Sequence, residues 1–188
     1  MNLFIDTTNN KLLLILENND NVIDYLVLDN QNRISDILIE TIDSFLVKNK
    51  IDISLIESFY ITIGPGSYTG VRLGVTFTKT IKTFNNNINV YMISSLAFQA
   101  GFGKSLSIID AKGNKYYVGV YDKAKNIIVD QLLTSEVLEE FKKSFKDYDI
   151  IKDYENIDYV KNYINLKPFF KLANSIDEVN PLYIKHYI

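Results

Sequence analysis

The feature that most restricts the fold of this chain is an internal repeat. "NLFIDT" reads as a strand that ends in Asp6, "TNN" as a turn, "KLLLILE" as a second strand, "NNDN" as a turn, and "VIDYLVLD" as a third strand. An amphipathic helix follows. From residue 105 the order returns: "SLSIID" ends in Asp110, "AKGN" turns, "KYYVGVYD" and "IIVDQLLT" are strands, and "SEVLEEFKKSF" is a helix with early glutamates and late lysines, as the helix dipole favours. Asn10-Lys11 and Asn114-Lys115 lie four residues beyond their aspartates, and Asn21 and Asn126 open the third strands. A strand–Asp–turn–strand–turn–strand–helix unit used twice implies an α/β chain of two related halves.

The other elements fit around this repeat. Ile34, Ile37, Leu38, Thr41, Ile42, Phe45 and Leu46 recur at helical spacing and predict a helix from about Asn32 to Lys48. A strand is expected at about 57–63, a helix from about Tyr68 to Phe84, a strand at "INVYMI", and a short helix at "SSLAFQAGF" capped by Ser94 or Ser95. After residue 146 the second copy is less regular. "YDIIKD" reads as a strand, and "YENIDYVKNYI" and "PFFKLANSI" as helices. The division expected is residues 1–98 for a first lobe and 99–188 for a shorter second lobe.

Composition removes several functions. The 188 residues include no cysteine, which excludes disulfides, thiol catalysis and cysteine-bound zinc. The only histidine, His186, leaves neither a zinc hydrolase pattern nor a credible Ser-His-Asp triad. The net charge of −3 is unlike that of a protein that grips RNA by itself. "MNLFIDTTNN" is not a signal peptide, and no apolar run approaches the ~18 residues of a membrane span, so a cytoplasmic protein is expected.

A duplicated three-strand-plus-helix unit with an aspartate ending each first strand resembles the plan of the actin-like ATPase and sugar-kinase superfamily. That resemblance implies a duplicated actin-like, RNase H-like α/β fold, with a mixed sheet and flanking helices in each lobe. In that superfamily the two aspartates handle metal and phosphate. The glycine-rich stretch "GPGSYTGVRLG", Gly64 to Gly74, poses the same question. Ser67 can cap the following helix, and free N–H groups at a helix start favour anions. Yet no Lys-Ser/Thr follows as in a Walker A loop, and Thr69 breaks the GxGxxG spacing. Asp6 is followed by "TTNN" with no glycine, and Asp110 by "AKG" with one. Each aspartate can equally hydrogen-bond its own turn. Asp6, Thr7, Gly64 and Asp110 therefore stand as a vestigial nucleotide or phosphate site, with no catalytic and no metal residue assigned. Gly66, Gly70 and Gly74 are four apart. Glycine inside a helix costs ~1 kcal/mol against alanine, so this stripe requires a close neighbour, either the chain's own sheet or a partner's helix. Arg72 beside it could clamp an anion, bridge an interface or face solvent.

"GPGSYTGVRLG" resembles the GPGSFTGxRxG signature of the bacterial TsaB (YeaZ) family, with Tyr68 where phenylalanine is usual. "FIDTT", "IIDAKGNKYYVGVY" and "NPLYIKHYI" resemble its other segments in order, with Lys185 in place of an arginine. The resemblance implies a non-catalytic partner of TsaD in making N6-threonylcarbamoyladenosine (t6A) in tRNAs that read codons beginning with A. It also implies a TsaE-like ATPase in the complex, tRNA contact only through that complex, and pairing of the first lobe with TsaD or with a second copy. No cofactor of the chain's own is implied, with ATP or ADP at an interface shared with partners left open. TsaD relatives carry a metal-binding histidine pair that this chain lacks. The docking face would then take in Arg33, Ile37 and Thr41 on the first long helix and Gly66, Ser67, Tyr68, Gly70, Arg72 and Gly74 on the glycine helix, the stripe forming a bare surface for another backbone. "NQNRIS" stands where the family has a His-Ser pair, and the second lobe is short. The competing reading is a small ATP-dependent phosphotransferase that uses Asp6 and Asp110.

Overall fold

The computed structural model describes residues 1–29 and 33–184. Asn32 at the expected helix start, the "NQN" of "NQNRIS", Lys185 and His186 lie outside the described residues. The chain divides into two compact units. The first comprises residues 1–63, 67–93 and 170–181; the second comprises 64–66, 94–169 and 182–188.

The first unit is built on a six-stranded mixed sheet. Its strands are β1 (Asn2–Asp6), β2 (Leu12–Asn18), β3 (Asn21–Leu28), β4 (Ser58–Thr62), β5 (Asn89–Ile93) and a short β10 (Lys171–Leu172), in the order β10-β5-β4-β1-β2-β3. β1 pairs antiparallel with β2 and parallel with β4. Helices α1 (Ile34–Lys48) and α2 (Tyr68–Phe84) cover one face. The apolar spacing read from the sequence explains this packing. Ile34, Leu38, Ile42, Phe45 and Leu46 form the buried stripe of α1 and meet Leu3, Ile5, Leu14, Leu16 and Phe59 of the sheet. Phe4 and Tyr60 alternate onto the opposite face, where the ring of Phe170 meets both edge-on at 6.1 and 5.2 Å.

The second unit repeats the plan. β6 (Ser105–Lys112), β7 (Lys115–Asp122), β8 (Lys125–Thr134) and β9 (Asp149–Lys152) lie in the order β8-β7-β6-β9, and β6 pairs antiparallel with β7 and parallel with β9. This matches β3-β2-β1-β4 strand for strand, with α4 (Ser135–Lys143) in the place of α1. The duplication read from the two aspartates is present in the topology. Helix α3 (Ser95–Ala100) is capped by Ser94, whose hydroxyl accepts from the Leu96 N–H at 3.2 Å. The buried Gln99 amide ties α3 to the sheet: it donates to Ser107 Oγ at 2.7 Å and to the Ile108 carbonyl at 2.9 Å, and accepts from the Tyr154 N–H.

The end of the chain departs from expectation. The first reading holds in part, since Tyr159–Leu166 is helix α5. "PFFKLANSI" is not a helix. It forms a 3-10 turn at Lys167–Phe169 and then β10, which pairs antiparallel with β5 through Lys171↔Met92 and Leu172↔Tyr91. Residues 170–181 thus belong to the first unit, and the boundary after β5 falls at Ile93, with α3 in the second. The cause is tertiary: Phe170 and Ala173 are buried in the first unit and draw the segment onto the sheet edge.

Truncating Phe170 should therefore loosen the return segment. Phe170→Ala is expected to cost about 3 kcal/mol. Hydrogen exchange would show it as faster exchange of β4 and β5 amides, with β6 and β7 amides unchanged.

Candidate functional site

The glycine motif starts where β4 ends. Gly64 has φ of 99°, a left-handed conformation that glycine adopts without strain, and its carbonyl accepts from the Ser95 N–H at 2.8 Å. Ser67 caps α2 as the sequence predicts, its hydroxyl accepting from the Gly70 N–H at 3.3 Å. The Ser67 N–H donates to the Thr8 carbonyl at 2.6 Å, so the start of α2 is bound to the β1–β2 turn.

The glycine stripe faces inward. Gly66 precedes the helix, which leaves Gly70 and Gly74 to share a face, and both are buried. A Cβ on Gly70 would overlap the Thr7 carbonyl oxygen, and one on Gly74 would lie 2.7 Å from Thr7 Oγ1. The buried Thr7 hydroxyl donates to the Gly70 carbonyl at 2.7 Å. The backbone for which this surface is bare is the chain's own turn. Thr7 fills the space beside Gly70 and Gly74 that the sequence left open for a partner's backbone.

The aspartates hold their hairpins. Asp6 is buried, and its Oδ1 accepts from the Thr8 N–H at 2.8 Å and the Thr8 hydroxyl at 2.7 Å. Asp110, half-buried, accepts from the Lys112 N–H at 2.8 Å and the Lys112 ammonium at 3.0 Å. Asp6 thus closes the turn after β1, and Asp110 holds the bulge at the end of β6, just before the β6–β7 turn. Burial alone would raise the Asp110 carboxyl, but the backbone N–H and ammonium of Lys112 outweigh it and hold it below the usual carboxylate range.

The remaining candidates lie on the outside of α1 and α2. Arg33 is exposed, 3.9 Å from Asp36. Ile37 and Thr41 are half-buried and line a groove of ≈ 480 Å³ between α1 and the edge strand β3, with Leu26, Leu28 and Phe45 as its other apolar lining and Glu40 and Lys48 on the α1 side. The sequence reading missed Leu26 and Leu28. Their signal was the run "YLVLD", which places leucines two apart on an outer strand. Ile39, also missed, is 72% exposed on α1. At the start of α2, Tyr68 is 63% exposed; its hydroxyl accepts from Arg72 Nη1 at 2.7 Å, and the guanidinium lies 5.1 Å from its ring centre.

A family model described as TsaD, tRNA N6-adenosine threonylcarbamoyltransferase, matches residues 30–158. The "tRNA threonylcarbamoyladenosine biosynthesis protein TsaB" of Bacillus subtilis is 31% identical over 140 residues, spanning 71% of this chain and 60% of that protein. The chain belongs to this family, in its TsaB (YeaZ) group. An uncharacterised protein of Mycoplasma pneumoniae is 28% identical over 186 residues, covering 97% of this chain and 94% of its own length. The solved structure of YeaZ from Pseudomonas aeruginosa superposes with a TM-score of 0.77 at 15% identity, covering 97% of this chain and 99% of that one, and so shares this fold. The TsaB signature "GPGSYTGVRLG" is thus, in this chain, the segment that locks α2 onto the β1–β2 turn.

Gly70→Ala forces the Thr7 carbonyl to move and should destabilise the first unit by about 2–3 kcal/mol, measured by denaturant unfolding. For Asp110, the folded-state pKa lies below the unfolded value. Its carboxylate therefore stabilises the second unit above about pH 4, and that contribution is lost as pH falls through the folded pKa. Asp110→Asn should flatten this part of the acid unfolding curve.

Proposed function

We propose that this chain is a non-catalytic partner of a TsaD-like enzyme in forming t6A on tRNAs that read codons beginning with A. Family membership supplies the pathway. One observation supports the scaffold role over the phosphotransferase. Asp6 and Asp110, which a phosphotransferase would need, are bonded within their own hairpins. The outer side of α1 and α2, by contrast, presents Ile39, Tyr68 and an apolar groove to solvent.

On this reading the TsaD-like partner docks on Arg33, Ile37, Ile39, Thr41, Ser67, Tyr68 and Arg72. The face also serves for pairing with a second copy when the partner is scarce. A TsaE-like ATPase joins the assembly, tRNA meets this chain only within it, and the setting is the cytoplasm. Among the described residues no helix is long and apolar enough to cross a membrane. The chain carries no cofactor of its own, and any nucleotide sits at an interface shared with the partners.

Thr41→Arg places a charge in the groove, and Ile39→Arg places one on the exposed face. Each should weaken co-purification with the TsaD-like protein of the same organism by about 100-fold while leaving the melting temperature nearly unchanged. Wild-type affinity in both variants would reject the docking face. t6A formation by the reconstituted enzymes should require this chain. Titration of the isolated chain with Mg-ATP should give no micromolar binding; binding with hydrolysis that disappears in Asp110→Asn would favour the phosphotransferase.

A further inference from the structure

Helix α2 carries Arg72, Lys79 and Lys82 and no acidic residue. Lys82 is committed to the carbonyls at its own helix end, donating to Ile88 at 2.6 Å, and Lys79 donates to Asn180 at 3.2 Å. Arg72 differs. It is exposed, and among the described residues it makes no ion pair and one hydrogen bond, to a neutral group, the Tyr68 hydroxyl. That bond and the ring 5.1 Å away hold the guanidinium from two directions, one turn into the helix. A fixed guanidinium with most of its donors unused is prepared for a planar anion, and part of the entropy of ordering it has already been spent in the free protein.

We propose that Arg72 is the specificity-determining residue of the docking face, taking a carboxylate from a helix of the TsaD-like protein, and that Tyr68 is its positioning residue. This inference rests on the docking reading above. The anion is a protein carboxylate rather than a nucleic-acid phosphate because of what lies beside it. Helix α1, packed against α2, exposes Asp36, Glu40 and Asp43, while its cations Arg33 and Lys48 stand at its two ends beside Asp36 and Asp24. Such a row repels a polyanion but tolerates a single carboxylate set against Arg72. Tyr68, Thr76 and the apolar groove of α1 give a protein helix something to bury around that contact.

The test is the affinity of the full-length chain for the TsaD-like protein at two salt concentrations. Arg72→Ala should raise Kd about 10–100-fold at low salt. Arg72→Lys should not restore affinity, because an ammonium lacks the planar fork. Tyr68→Phe, which keeps the ring and loses the hydroxyl, should fall between Arg72→Ala and wild type. The Arg72→Ala penalty should shrink at high salt. Melting temperatures should stay close to wild type, since both side chains are exposed. If Ile39→Arg breaks the complex while Arg72→Ala binds like wild type, the docking face stands and this assignment fails. Full rescue by Arg72→Lys would also overturn it. So would an Arg72→Ala variant that assembles normally but weakens tRNA binding by the complex, or one that changes only self-association.

Discussion

The first unit depends on the fit between Thr7 and the glycines of α2. At the end of β1 the chain turns through Thr7 and Thr8, and this turn rises against the helix. The helix can come that close only because positions 70 and 74 carry no side chain. The Thr7 hydroxyl then bonds the Gly70 carbonyl, and the Thr8 carbonyl takes the N–H of the cap residue Ser67. Two glycines inside a helix cost about 2 kcal/mol in propensity. The buried hydrogen bonds and the packing of Val71 and Val75 offset it. Once the inner face of α2 is fixed, helical geometry fixes the outer one: Tyr68 and Arg72, four residues apart, must stand together and face away from the sheet.

The twin hairpins show how one plan survives with different chemistry. In both units an aspartate at or near the end of the first strand accepts from an N–H two residues on. In the first unit the acceptor is buried and satisfied by threonine, and the following residues face a helix. In the second it is partly exposed and satisfied by lysine. The two hairpins thus keep one geometry while their surroundings differ.

Much of this was legible in the sequence. Strands β1 to β3 and β6 to β8 showed as apolar runs between turn residues, and α1 and α2 showed helical periodicity over four turns or more. β10 was not legible, because a two-residue strand has no period and the apolar residues of "PFFKLANSI" mimic a helix face. The glycine stripe was legible as a demand for close approach, but not in its direction. A bare helix face reads the same whether the neighbour is the chain's own turn or another molecule, and only the position of Thr7 decides between them. The groove could not be read from α1 alone, since Leu26 and Leu28 of its lining come from β3, an edge strand brought alongside by pairing through β2.

The central claim is that the motif holds the fold from within while the outer side of α1 and α2 meets the partner. Hydrogen–deuterium exchange of the chain, alone and saturated with the TsaD-like protein, tests it directly. The account predicts slower exchange on binding in residues 34–48 and 68–76, with the β6–β7 and β7–β8 turns of the second unit unchanged. Protection confined to those turns, with α1 and α2 exchanging as in the free chain, would contradict it.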